Sequence, residues 1–496
     1  MNSLKQGGSE GVRRFPDGFV WGVGTSSYQI EGAVDTDGRG ASIWDVFTHT
    51  PGKVNRGDTG DLACNSYNRL EDDVRLLSEL GVGAYRFSVS WPRVLPSGGG
   101  PVNQAGLDYY RRLVEALNEK GITPVATVYH WDLPQALEDR GGWANRDSAK
   151  LLGELAHVLA GALGDQVSMW ITINEPLQTV QQGYITGTHA PGRRDLGLAS
   201  AAIHHIMLGH GYALQALRAQ LPNAVIGPTM DPQPFHALDE ESKPAADALD
   251  AEFNRVYMDP VFQGRYPSDL RSDLQPSEAL IEDGDMELIS APIDFFGLNY
   301  YRPHYVRSGD WADLRIGETP IPGHPGAVQY LPPDLARTVM GWPIVPEGMR
   351  DLLIRLHNES GGLPIYITEN GCAADDYLTP EGTIDDYERI DFIHGHLDAA
   401  LQAIDAGVNV GGYFHWSLMD NFEWAEGYRR RFGLHYVEFA SGRRIPKRSA
   451  RFYRQVALSG ELPASVALPP AAGNPAAAVD RADAEEPEIP EAPAAV

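Results

Sequence analysis

The chain has 496 residues, 43% of them hydrophobic and 22% charged, so it is neither disordered nor fibrous in composition and can bury a large core. Asp and Glu number 67 against 40 Lys and Arg, a net charge of −27 that repels phosphate backbones and anionic lipid surfaces. Nucleic acid and membranes are therefore set aside as partners; no run of about 18 apolar residues suggests a span, and the N-terminal MNSLKQGGSEGVRRF lacks the apolar stretch of a signal peptide. A cytoplasmic location is expected. Cys64 and Cys372 are the only cysteines, too few for a disulfide framework and without metal-ligand spacing.

In chain order, residues 1–14 read as a loose arm. Short β-rich runs then alternate with helical periodicity, as parallel βα units do. The strands are expected at 19–25 (FVWGVGT), 84–90 (AYRFSVS), 123–129 (TPVATVY), 168–174 (SMWITIN), 224–230 (AVIGPTM), 294–300 (DFFGLNY), 364–370 (PIYITEN) and 410–416 (VGGYFHW). Between them Leu77 and Leu80 run up to Gly81, and Leu107, Tyr110, Val114 and Leu117 share one helical face before Gly121, a glycine stop in each case. Eight strands with helical crossovers and no second strand-rich block predict a single (β/α)8 TIM barrel with long βα loops over residues 15–462, its active site at the C-terminal strand ends. From 463 the text becomes rich in Pro, Ala and Glu, which predicts a disordered tail, with a functional tether as the alternative.

Two of these strands end on a carboxylate. Glu175 closes MWITIN and Glu369 lies near the end of PIYITEN. On strands four and seven of one barrel they would meet at the same mouth from nearly opposite sides. Pro176 is expected to keep the strand extended up to Glu175. The plainer alternative is that each Glu caps the helix that follows. Arg86 alternates with Tyr85, Phe87 and Val89, so it faces away from them and, if buried, needs a carboxylate partner.

These residues carry a family resemblance. TINEP (172–176) and ITENG (367–371) resemble the acid/base and nucleophile signatures of family 1 glycoside hydrolases, the β-glucosidase family. FVWGVGTSSYQIEGA (19–33), GRGASIWDVF (38–47), YRFSVSWPRV (85–94), YHWDLP (129–134), GLNYY (297–301) and YFHWSLMDNFEWAEGY (413–428) resemble it too, in the same order, from about Phe15 to Phe452. The resemblance implies Glu175 as general acid/base and Glu369 as nucleophile, with Gln29, His130, Asn174, Tyr301, Trp416, Glu423 and Trp424 binding the sugar. Arg86, Asn299 and Trp131 would support them, Arg86 by holding Glu369 ionised, Tyr301 would also touch the nucleophile, and Trp342 would be a platform for the leaving group. For a retaining enzyme the carboxyls should stand about 5–5.5 Å apart, and their like-charge coupling would raise the pKa of the acid.

Other motifs are bland. DTDGRG (35–40) starts like a calcium loop but has Val46 where the bidentate Glu belongs, so it reads as a turn. His204, His205 and His210 lie on an expected helix without the i, i+4 spacing of a zinc pair. SGGGP (97–101) lacks the Lys and Ser/Thr of a phosphate loop. No metal or cofactor is implied. The family also contains phospho-glycosidases with Ser, Lys and Tyr around the sugar 6-position. Here Glu423, Arg430 and Phe432 stand there, and a carboxylate repels phosphate, so unphosphorylated sugars are expected. CNSYNR (64–69) departs from the family pattern on an early helix, where packing rather than chemistry is expected to change. Glucose leads as glycone, before galactose and fucose; the loop at about 303–340 would shape the leaving-group side. A small-molecule β-glycoside is thus the expected partner. A transglycosidase, a sugar-binding protein without turnover and an interaction scaffold are the alternatives; loss of either carboxylate would favour the second, and neither is lost.

Overall fold

The computed structural model describes residues 11–466. Residues 1–10 of the expected arm, and the expected tail from residue 467 on, lie outside them. Arg13–Arg14, placed in the arm by sequence, form a short strand antiparallel to Glu461–Leu462.

All eight expected strands form, as β1 (Val20–Gly24), β2 (Ala84–Ser88), β3 (Thr123–Tyr129), β4 (Met169–Asn174), β5 (Val225–Met230), β6 (Phe296–Asn299), β7 (Ile365–Asn370) and β8 (Val410–Trp416). They pair in parallel and in chain order, and β8 closes the barrel on β1. The expected helices flank it. Leu70–Leu80 ends at Gly81, whose φ of 75° suits a residue without Cβ. Gln104–Glu119 buries Leu107, Tyr110, Val114 and Leu117.

Inside the barrel, Ala84, Val125, Met169, Ile171, Phe295 and Phe414 form one buried apolar cluster, with Val20 and Tyr366 against it. Residues from so many strands meet only within the barrel. Gly22 belongs to this arrangement, because a Cβ there would stand 2.3 Å from the Phe414 ring. This apolar floor lies toward the strand N-termini. One pleat higher the same face changes character: above Ala84 is Arg86, and above Val125 is Thr127, which accepts from Arg86 Nε at 3.3 Å.

Strict alternation would carry Glu369 out of the barrel with Ile365 and Ile367, both in the outer core. The β6–β7 ladder slips between Ile367 and Glu369, and the β4–β5 ladder slips between Ile171 and Asn174. Each irregularity re-aims the side chains after it, which is how strands that are apolar in sequence end on polar groups facing the mouth.

The long loops build a second sheet. Phe235–Ala237, His304–Ser308, Ala327–Tyr330 and Glu318–Pro320 join in that spatial order beside the mouth. Sequence reading marked 303–340 only as a variable loop. CNSYNR differs as well: Ser66–Asn68 form a 3-10 turn before the helix rather than lying on it.

Candidate active site

A cavity of about 540 Å³ opens at the C-terminal ends of the strands, and both Glu175 and Glu369 line it. Each carboxyl is almost fully buried, at 5% and 3% exposure, so its state is set by its neighbours rather than by bulk water.

Glu369 is held at both oxygens. Arg86 Nη1 donates to Oε1 at 2.5 Å and the Tyr301 hydroxyl donates to Oε2 at 2.7 Å. Arg86 is fully buried and so meets the carboxylate requirement read from its sequence position. Its other nitrogens donate to the Thr368 carbonyl and to Asn174 Oδ1. Burial pushes the Tyr301 phenol far above its usual range, which keeps it a donor. Gly371 lets the chain turn away after the motif, since a Cβ there would meet the Trp416 carbonyl oxygen at 1.9 Å.

Glu175 sits in the opposite kind of environment. No cation bonds it; Asn299 Nδ2 donates to its Oε1 at 2.6 Å, leaving Oε2 for a proton. Its pKa is driven well above the ordinary value, first by burial, then by the charge of Asp231, and only third by that of Glu369. The expected coupling to Glu369 is thus present, behind burial and Asp231.

Glu175 also departs from the extended backbone expected of it. The strand stops at Asn174 and Glu175 adopts φ 47°, ψ 67°, a left-handed conformation uncommon outside glycine. Its backbone N–H donates to the Thr229 carbonyl of β5 at 2.9 Å, tying the turn to the neighbouring strand. It occupies the N-cap position of helix Pro176–Val180, yet its side chain makes no cap bond. Capping therefore does not account for it.

Asp231, one residue beyond β5, was missed by sequence reading. It is buried, lines the cavity and accepts from Gln178 Nε2 at 2.7 Å, while its Oδ1 has no partner. Burial raises its pKa to about 7. The signal was available: MDP at the end of a strand repeats the arrangement of NEP.

Of the remaining expected residues, His130, Trp131, Asn299, Tyr301, Trp342, Trp416, Glu423 and Trp424 line the cavity. His130 accepts from Asn174 Nδ2 at 3.1 Å, and burial holds it neutral. Trp424 packs against Trp131 with ring centroids 4.6 Å apart, and Trp131 Nε1 donates to the Asn174 carbonyl at 3.0 Å. Gln29 and Asn174, expected to touch the sugar, are fully buried at the cavity wall. The amide of Gln29 is committed to the Phe422 carbonyl at 2.9 Å and Asn421 Oδ1 at 3.1 Å, with Glu423 at 3.4 Å. Asn174 Oδ1 bridges Arg86 and Asn299, so one bonded path runs from Glu369 to Glu175. Burial, and then Glu369, raise the pKa of Glu423 to about 8. A carboxyl so raised can donate to a sugar hydroxyl as well as accept from one.

The three expected-bland histidines are structural. His210 pairs with Thr172, His205 with the Trp143 carbonyl, and His204 with Tyr266 and Asp285. Among the described residues no cluster of His, Cys, Asp or Glu has the form of a metal site, and no helix is long and apolar enough to cross a membrane.

A parallel barrel whose mouth holds two carboxyls in unlike surroundings, walled by flat indole rings and hydroxyl-binding groups, is the equipment of a glycoside hydrolase. The sequence model of glycosyl hydrolase family 1 matches residues 12–461. The chain is 45% identical over 450 residues to β-glucosidase A of Thermotoga maritima, covering 90% of this chain and 98% of that protein. It is 43% identical over 453 residues to a bifunctional β-D-glucosidase/β-D-fucosidase of Bifidobacterium breve, covering 89% and 97%. The solved structure of a family 1 β-glucosidase from T. maritima superposes with a TM-score of 0.85 at 43% identity, over 91% of this chain and 99% of that one. The chain belongs to glycosyl hydrolase family 1 and is a glycoside hydrolase.

Proposed function

We propose that this enzyme is a retaining β-glucosidase that removes terminal, unphosphorylated β-D-glucosyl residues from small glycosides, with fucosides and galactosides as secondary substrates. The observation that carries the proposal is the contrast between the two carboxyls: Glu369 is clamped by Arg86 and Tyr301, while Glu175 is buried without a cation and raised in pKa. That contrast divides the labour. A Glu369 oxygen attacks the anomeric carbon as protonated Glu175 gives its proton to the departing oxygen, so the aglycone leaves as an alcohol and a glycosyl ester forms. Esterification removes the charge of Glu369 and with it one of the influences raising Glu175. Now a carboxylate, Glu175 takes a proton from water, whose oxygen attacks the anomeric carbon and frees Glu369. Two displacements return the sugar in its original configuration.

The relatives' names support the glucosidase reading and, through the B. breve protein, the fucosidase extension. We place the catalytic unit at residues 15–462 and the enzyme in the cytoplasm, degrading short β-glucosides such as those released from cellulose. NMR of the first sugar released from an aryl β-D-glucoside tests the reading. β-Glucose should appear before mutarotation; initial α-glucose would exclude a double displacement, and no release from gluco-, fuco- or galactosides would exclude the activity.

A further inference from the structure

We propose that the leaving-group side of the cavity recognises a carboxylate-bearing aglycone through the guanidinium of Arg302. This rests on the β-glycosidase reading and says which leaving groups that site takes. Arg302 follows Tyr301 out of β6, lines the cavity, and lies over the Trp342 ring with its guanidinium carbon 5.0 Å from the centroid.

What sets Arg302 apart is the absence of an answering charge. The buried arginines Arg86, Arg93, Arg307 and Arg389 are paired with Glu369, Glu31, Glu318 and Asp376, whereas Arg302 is part-exposed to the cavity. Among the described residues Arg302 has neither an ion pair nor a hydrogen-bond acceptor, and burial alone pulls its pKa down to about 10. It remains charged at neutral pH all the same. Its guanidinium is part-exposed to the cavity with no protein carboxylate beside it, and a ligand carboxylate is the group whose two oxygens match that planar fork.

The rest of the cavity leaves this charge largely uncompensated. Glu369 is spent on Arg86, and Glu426 is bonded by Arg430 at 3.0 Å. Burial raises the pKa of Glu175, that of Glu423 to about 8 and that of Asp231 to about 7, which thins the negative charge of the cavity at neutral pH while leaving part of that on Asp231. His304, two residues beyond Arg302 on the same wall, is held neutral by burial and has Nε2 buried without a partner. A carboxylate entering beside Arg302 thus finds one free cation and a further polar nitrogen.

The test compares kcat/KM for 3- and 4-carboxyphenyl β-D-glucosides with their carboxamide counterparts, in wild type, Arg302→Met and Arg302→Lys. Taking the ratio within each enzyme cancels leaving-group acidity and general damage. The carboxylate-to-carboxamide ratio should fall about tenfold or more in Arg302→Met and be largely kept in Arg302→Lys. A ratio unchanged within about twofold for both isomers would overturn the inference while leaving the glycosidase reading intact. Should wild type hydrolyse none of the four, that reading falls and this one with it. If the methionine variant does not fold, wild-type inhibition decides: benzoate should inhibit more strongly than benzamide, and equal inhibition overturns the proposal.

Discussion

Replacing Tyr301 with Phe removes one oxygen from the site and nothing else. The hydroxyl is one of two tethers on Glu369, at 2.7 Å from Oε2, the other being Arg86 on Oε1. A hydrogen bond to a charged group is worth about 1.5–3 kcal/mol, which would be roughly 10- to 150-fold in rate if all of it held the carboxylate in its attacking geometry. The lost group faces the cavity, where water can take its place, so the lower part of that range is expected: kcat/KM for 4-nitrophenyl β-D-glucoside down about 10- to 50-fold, mainly in kcat. Circular dichroism should be unchanged, because the ring still packs against Trp342 at 5.6 Å and Phe432 at 6.1 Å. A fall below about threefold would mean that Arg86 alone positions Glu369 and would refute the two-tether account.

Three further outcomes are expected. Glu175→Ala should slow alkyl β-glucosides by about 10²- to 10⁴-fold, and glycosylation by an aryl glucoside with a highly acidic leaving group far less; equal loss in pre-steady-state measurements on both would contradict its role as acid. Asp231→Asn should move the alkaline limb of the kcat/KM profile to lower pH. Glu175 must be protonated for the first step, so activity is present below its pKa and lost as pH rises through it; Asp231 raises that pKa, so removing its charge lowers it, and an unshifted limb above about pH 7 would contradict the coupling. Far from the site, Lys447 Nζ bonds Asp376 at 2.5 Å and Asp420 at 2.6 Å with all three buried. Lys447→Met should cost about 3 kcal/mol, the lower end for a broken buried pair because Arg431 also bonds Asp420, read as a lower midpoint in chemical denaturation.

The barrel was legible because its eight strands are locally distinct: β-branched runs punctuated by glycine and separated by helical faces. The two carboxylates were legible for the same reason, as charges breaking apolar runs, and the family motifs then assigned their neighbours. What escaped depends on contacts between distant segments. The left-handed turn at Glu175 is fixed by the Thr229 carbonyl across the ladder, whereas Pro176 argued locally for an extended chain. The second sheet brings Phe235–Ala237 beside His304–Ser308, strands too short to announce themselves. How deeply a polar residue of the site is buried, as Gln29 and Asn174 are, is a matter of depth that residue type does not encode. Asp231 alone was readable and passed over, since MDP had no motif to lend it weight.

The most direct test of the account is to trap the intermediate with an activated 2-deoxy-2-fluoro-β-D-glucoside, which slows hydrolysis of the glycosyl ester, and to map the label by peptide mass spectrometry. The expected result is a stoichiometric adduct on the peptide carrying Glu369, and none in Glu369→Ala. A label on Glu175, or steady turnover of ordinary β-glucosides with no adduct at Glu369, would contradict the division of roles between the two carboxyls.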